Sequence, residues 1–243
     1  MTRDLRSRLY GRYVSGGQAR APDTPAGLAS REPYLKRLIQ RHFPPDRSAA
    51  VFEIGCGYGA LVHFAREAGY RDARGVDTAT EQVTAAAGLG IQGIVQGDLL
   101  ETLSGLAPDS LDVVIAFDVL EHFGKDEILA LVDSVHRVLR VGGRWILHAP
   151  NAESPFFGAI LYGDLTHELA FTRRSLSQLL CTSGFEQVRC FEDDVVVHGA
   201  KSRVRALLWK LIRAALRVYI AAETGDAGRD AILTRNLLAV AVK

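Results

Sequence analysis

Short apolar runs alternate with amphipathic stretches along most of this chain, and several of the runs stop at a glycine or an aspartate. Residues 49–54, 73–76, 93–96, 111–117 and 144–148 are such runs, too short for helices and bounded by turn-forming residues, as expected of strands covered on both faces. Between them, residues 61–68, 81–87 and 126–139 space their apolar side chains as helices do. Leu35, Leu38 and Ile39 predict a further helix over 33–42, which Pro44 and Pro45 end. Strands alternating with helices imply parallel pairing through right-handed crossovers, hence an α/β fold with a doubly wound sheet.

After Pro150 the alternation loosens. A connection over 151–172 leads to a helix at 175–182, a stop at Gly184 and a strand near 186–191, and Asn236–Val242 is an apolar run placed to close the sheet. The expected organisation is an N-terminal arm and helix over 1–45, then a sheet domain over 46–243 with insertions at 151–174 and 199–233. Within the arm, residues 1–31 mix Arg, Gly, Ser and Pro without a period, so short irregular helices at most are expected there. Within the second insertion, Val204, Leu207, Leu208, Leu211, Ala215 and Val218 share one helical face, and Arg203, Lys210, Arg213 and Arg217 lie opposite. Such a helix packs its apolar face on the domain or on a second subunit of a homodimer, or it touches anionic lipid or a lipid-linked glycan.

Composition narrows the class. The chain has 243 residues, 48% of them hydrophobic, enough for one large core. A net charge of +1 gives no global attraction to nucleic acid, and no nucleic-acid partner is expected. The three cysteines, Cys56, Cys181 and Cys190, lack the paired spacing of a zinc site and fit free thiols in a reducing compartment. No run approaches the roughly 20 apolar residues of a membrane span, and no apolar stretch follows the first arginines, so a cytoplasmic protein is expected.

In a doubly wound sheet, ligands sit outside the carboxyl ends of the strands. Gly55, Gly57 and Gly59 follow the first strand, where they permit a tight turn and close backbone approach, while the next helix offers unpaired amides. Alone, such a loop is as readily a plain turn. Asp77 ends the second strand about 20 residues later, where a carboxylate grips a ribose diol. Asp98 follows the third strand and would accept from an adenine amino group, with Leu99 beside the ring. Either aspartate would also serve as a helix cap. Together the three strand ends point to an adenosine-type ligand.

The runs Val51-Phe52-Glu53-Ile54-Gly55-Cys56-Gly57-Tyr58-Gly59, Gly75-Val76-Asp77, Gln96-Gly97-Asp98 and Phe117-Asp118-Val119-Leu120-Glu121-His122 resemble the class I S-adenosylmethionine-dependent methyltransferases in order and spacing. The resemblance covers residues 50 to 150. It implies a Rossmann-like, seven-stranded sheet with the last strand antiparallel, and S-adenosylmethionine as the methyl donor. By the same resemblance Glu53 and Gly55 border the methionine part, Asp77 the ribose, Asp98 the adenine, and Asp118 the methionine amino group or the acceptor. A nicotinamide dinucleotide suits the loop less well, because the glycines read G-x-G-x-G rather than G-x-G-x-x-G. A zwitterionic amino-acid end, its ammonium balanced by Glu53 and Asp118, suits it better.

Methyl transfer from a sulfonium is mainly a matter of position, but a hydroxyl acceptor must also lose its proton. His122, His148 and His167 follow strand ends or sit in the long connection, within reach of a base's place. The insertion carrying Asp164 and His167 leaves the carboxyl edge of the fifth strand and is expected to bring them toward Glu121 and His122. His167 or His122 as base, with Asp164, is favoured over a divalent ion such as Mg held by Glu121, His122, Asp164 and His167. The segment from Pro150-Asn151-Ala152-Glu153-Ser154 through Tyr162-Gly163-Asp164-Leu165-Thr166-His167-Glu168 to Phe171-Thr172 resembles bacterial methyltransferases of polysaccharide and glycan synthesis. It implies O-methylation of a saccharide or glycan precursor. A small-molecule N- or O-methyltransferase for an aromatic or lipid-like metabolite, and a non-catalytic cofactor-binding protein, are the alternatives.

Overall fold

Seven strands form one mixed sheet in the computed structural model, which describes residues 8–18, 22, 24–193, 195–226, 228 and 230–243. Their order across the sheet is β3-β2-β1-β4-β5-β7-β6. The parallel part comprises β1 (Val51–Ile54), β2 (Ala73–Asp77), β3 (Ile94–Gln96), β4 (Leu111–Phe117) and β5 (Leu139–Pro150). The last strand, β7 (Asn236–Val242), runs antiparallel between β5 and β6 (Glu186–Glu192). The sheet is therefore the doubly wound one that the pattern predicts, with the seven strands and antiparallel last strand that the resemblance implies.

Each strand sends alternate residues to opposite faces. On one face Phe52, Val114, Ala116, Trp145 and Leu147 pack under α4 (Leu99–Gly105), α5 (Ile128–Val138) and α7 (Arg173–Thr182). On the other, Val51, Val113, Ile115 and Ile146 meet α1 (Glu32–His42), α2 (Ala60–Glu67) and α3 (Thr80–Gly88). The result is a three-layer core that leaves only strand ends open to a ligand.

The structure differs from the sequence pattern in places. α4 is a helix that periodicity does not reveal, since seven residues are too few to show a period; the Asp98 carboxylate caps it and Leu103 anchors it in the core. β5 starts five residues before the apolar run, because Gly142 and Gly143 stay in register by pairing with Lys243. The connection after Pro150 holds a short helix, α6 (Phe157–Leu161), and is clipped by an isolated bridge between Asn151 and Phe171.

The second insertion forms α8 (Ala200–Thr224), whose first turn is capped by Ser202 Oγ accepting the amides of His198 and Gly199, both at 2.9 Å. Contrary to one expectation, α8 does not lay its apolar stripe on the domain. Arg213 faces inward and pairs with Glu192, while Leu207, Leu211 and Val218 face solvent. Among the described residues no helix is long and apolar enough to cross a membrane.

Candidate active site

Gly55, Gly57 and Gly59 all adopt positive φ, at 65°, 55° and 78°. At Gly55 the need for glycine is also steric, since a Cβ there would lie 2.5 Å from Val119 Cγ2. The loop is tied to the second strand: Asp77 Oδ2 accepts the Gly57 amide at 2.7 Å and Oδ1 accepts the Ala79 amide at 2.8 Å. Asp77 thus holds the turn and lies beneath it. Burial pushes its carboxyl above the ordinary range, and the two amides pull it back.

Above the loop opens a cavity of 230 Å³, lined by Arg31, Glu53, Gly55, Gly57, Gln82, Phe117 and Asp118 among others. Glu53 is buried, and burial with the nearby Asp77 raises its pKa to about 8 against the pull of Arg31. Glu53 Oε2 and Gln82 Oε1 are both buried without a hydrogen-bond partner among the described residues. Two orphaned acceptors in a cavity wall fit a ligand that brings donors, as an ammonium and ribose hydroxyls do. Asp98 is placed away from this wall, exposed and occupied with the Glu101 amide at 3.0 Å, and Leu99 packs against the core beside it.

Asp118 sits in the left-handed region, φ 54°, an unusual conformation for a residue with a Cβ and one that aims its carboxylate across the strand ends. Its Oδ1 meets His148 Nδ1 at 2.7 Å, and His148 Nε2 meets Asp193 Oδ2 at 3.3 Å. Burial works to lower the His148 pKa, but the two carboxylates outweigh it and raise the value to about 10. His148 is therefore a charged clamp that steadies Asp118, stacked on Phe117 with ring centroids 4.9 Å apart. A group protonated at neutral pH does not serve as a base, which removes His148 from that role.

The remaining two histidines meet beside Asp118. His122 and His167 stack edge to face at 4.8 Å, and His167 Nε2 lies 4.0 Å from Glu121 Oε1. His167 meets Asp164 through its backbone, its amide donating to the Asp164 carbonyl at 3.2 Å, whereas the Asp164 carboxylate reaches His122 through Thr166. Thr166 Oγ1 donates to Asp164 Oδ1 at 2.6 Å, which leaves it to accept from His122 Nδ1 at 2.8 Å. His167 Nδ1 donates to the Ile160 carbonyl at 3.0 Å. Burial and the neighbouring His167 lower the His122 pKa to about 4, so its ring is neutral at pH 7. Glu121 is buried with neither carboxylate oxygen hydrogen-bonded among the described residues, and burial together with Asp118 holds its pKa well above the ordinary range.

Ligand atoms of Glu121, His122 and His167 lie within 4.8 Å of one another, with Asp164 outside the group. Ligands on one tetrahedral ion at Zn–N distances near 2.0 Å stand roughly 3.3 Å apart, so these side chains would have to close in to share one.

Sequence reasoning missed several residues of the site. Tyr13, from the stretch read as an irregular arm, donates its hydroxyl to Asp164 Oδ2 at 3.1 Å. The amides of Val14 and Ser15 donate to Glu81 Oε2 at 2.7 and 3.1 Å. The arm thereby crosses the carboxyl edge from α3 to the insertion. Thr166, Arg31, Gln82 and Asp193 were also unmarked, although Thr166 stands between the two residues that were singled out.

Comparison with known proteins agrees with this geometry. Residues 52–147 match the family model described as "Methyltransferase domain". The match spans β1 to β5, five of the seven strands, and takes in the glycine loop, Glu53 and Asp118. No curated protein matches it significantly. Among solved structures it is similar to an S-adenosylmethionine-dependent methyltransferase from Archaeoglobus fulgidus, with TM-score 0.65 and 19% identity over 90% of this chain and 100% of that one. A methyltransferase from Haloferax volcanii in complex with its Trm112 activator superposes with TM-score 0.64 at 16% identity, over 96% of each chain. A Haemonchus contortus phosphoethanolamine N-methyltransferase bound to S-adenosylhomocysteine gives TM-score 0.61 at 15% identity, over 96% of this chain and 60% of that one. At these identities the likeness is one of fold.

Proposed function

We propose that the chain is an O-methyltransferase acting on a hydroxyl of a saccharide or glycan precursor. The observation that carries this reading is the buried chain Asp164–Thr166–His122 beside Asp118, at the edge of the cofactor cavity. An amine acceptor needs no base once its lone pair is free, whereas a hydroxyl gives up its proton as it attacks. His122, neutral at pH 7, accepts that proton at its ring, and Thr166 and Asp164 orient the ring and stabilise the charge it gains. His167, fixed by the Ile160 carbonyl, forms the opposing wall and is the second candidate for the proton.

In the cavity, S-adenosylmethionine supplies the methyl group as a sulfonium. Glu53 and Asp118 face its ammonium, Arg31 its carboxylate, and Gly55, Gly57 and Gly59 allow the backbone to approach. Asp77 and Gln82 take the ribose hydroxyls, and Asp98 with Leu99 the adenine. Binding beside an ammonium ionises Glu53, whose pKa near 8 leaves it mostly protonated at neutral pH in the free protein.

The test is a methyl-release assay on a panel of glycans, phenols and amines. Turnover on sugar hydroxyls is the expected result. Turnover confined to amines or phenols gives the small-molecule reading, and binding of the cofactor with no turnover on any acceptor gives the non-catalytic one.

A further inference from the structure

The outward face of α8 is the largest feature that methyl transfer does not use. Val204, Leu207, Leu208, Leu211, Val218 and Tyr219 stand between 53 and 70% exposed along it. Isolated exposed apolar residues are ordinary, but a continuous stripe on a 25-residue helix is not. The helix turns a different, mixed face toward the domain: Trp209, Arg213, Leu216 and Ile220 are half-buried along it, Arg213 pairs with Glu192, and Ser202 is buried at its start.

Charge selects what covers the stripe. From Ala200 to Ala222 the sequence contains six Lys or Arg and no Asp or Glu. Wound at 3.6 residues per turn, Arg203 and Lys210 border the stripe on one side, and Lys201 and Arg205 border it on the other. An apolar face rimmed by cations on both sides matches an anionic bilayer, where the apolar side chains enter the acyl boundary and the bases meet headgroups. A second copy of the same helix would bring a cationic rim against a cationic rim.

Topology sets the helix where docking would matter. β6 runs parallel to β5, because both are antiparallel to β7, so the segment from Glu192 to Asn236 leaves and rejoins the sheet at its carboxyl edge. The insertion that carries Asp164 and His167 leaves the same edge after Pro150, and exposes Phe156, Tyr162 and Leu165.

We propose that the outward face of α8 docks on an anionic membrane surface and sets the acceptor site toward it. The membrane contact stands on α8 alone; that it presents a lipid-linked glycan to His122 rests on the saccharide reading above.

Sedimentation with vesicles tests the contact without cofactor or acceptor, so its outcome is independent of methyl transfer. The full chain is expected to partition onto phosphatidylcholine–phosphatidylglycerol vesicles roughly 1,000-fold better than onto pure phosphatidylcholine, from the four bordering bases. The double variant L207Q/L211Q changes only exposed side chains and is expected to keep its circular dichroism, melting temperature and S-adenosylhomocysteine affinity while losing about ten-fold or more of the partitioning. No binding to anionic vesicles, or equal binding by the double variant, overturns the proposal. So does a stable dimer in light scattering that the double variant dissolves, which would make the stripe a contact between copies.

Discussion

Replacing Asp77 by Asn tests two roles of one carboxylate. Its oxygens accept the amides of Gly57 and Ala79 at 2.7 and 2.8 Å, so the residue braces the cofactor loop before any ligand arrives. Asparagine keeps one acceptor and presents an NH₂ to the other amide, leaving one partly buried donor facing a donor. A hydrogen bond to a charged group contributes about 1.5–3 kcal/mol. At about 2–4 °C per kcal/mol for a chain of this size, the melting temperature should fall by roughly 3–12 °C. If the same carboxylate grips the ribose diol, S-adenosylhomocysteine affinity should also fall, by roughly 10- to 100-fold for a loss of that order. Thermal unfolding reads the first effect and titration calorimetry the second. An unchanged melting temperature refutes the brace. A lowered melting temperature with unchanged affinity leaves Asp77 as a brace and removes it from the ribose.

Glu53 predicts a pH dependence with a definite sign. Its folded pKa of about 8 exceeds that of an exposed carboxyl, so the folded state binds more protons and its contribution to stability declines as pH rises from the ordinary carboxylate range through 8. The free wild-type protein should lose more melting temperature across that window than the E53Q variant does; parallel curves would show that Glu53 is not protonated in the fold. His122→Ala should lower kcat by about 10²–10⁴-fold with S-adenosylhomocysteine affinity unchanged, and Thr166→Val, which cuts the link to Asp164, should produce part of that loss. Full activity in His122→Ala together with collapse in His167→Ala would transfer the base to His167.

Legibility in the sequence followed the range of the forces involved. The alternation of apolar runs reports burial on two faces of a sheet, a local signal, and it placed β1 to β5, β7 and most helices. Glycines at positive φ and aspartates at strand ends are local as well, because the turn that needs them is made by adjacent residues. Short elements such as α4 were invisible because two turns are too few to show a period, and a cap with three leucines against the core holds them. The N-terminal arm read as irregular for the same reason: what orders it comes from Glu81 and Asp164, far away in the chain.

The sequence by itself determined the fold class and marked the strand ends as the place for a ligand, because each is written in neighbouring residues. Only the tertiary structure decided how the histidines divide their work. His148, between Asp118 and Asp193, is held charged, while His122, buried against His167, is held neutral. Three histidines with the same intrinsic chemistry acquire different roles from the charges and the depth of burial around them, and those are set by contacts between residues 30 to 45 positions apart. Likewise the 3.6-residue period of α8 shows that it has two faces. Which of them meets solvent shows only in the fold, where Trp209, Leu216 and Ile220 turn inward beside Arg213, itself paired with Glu192.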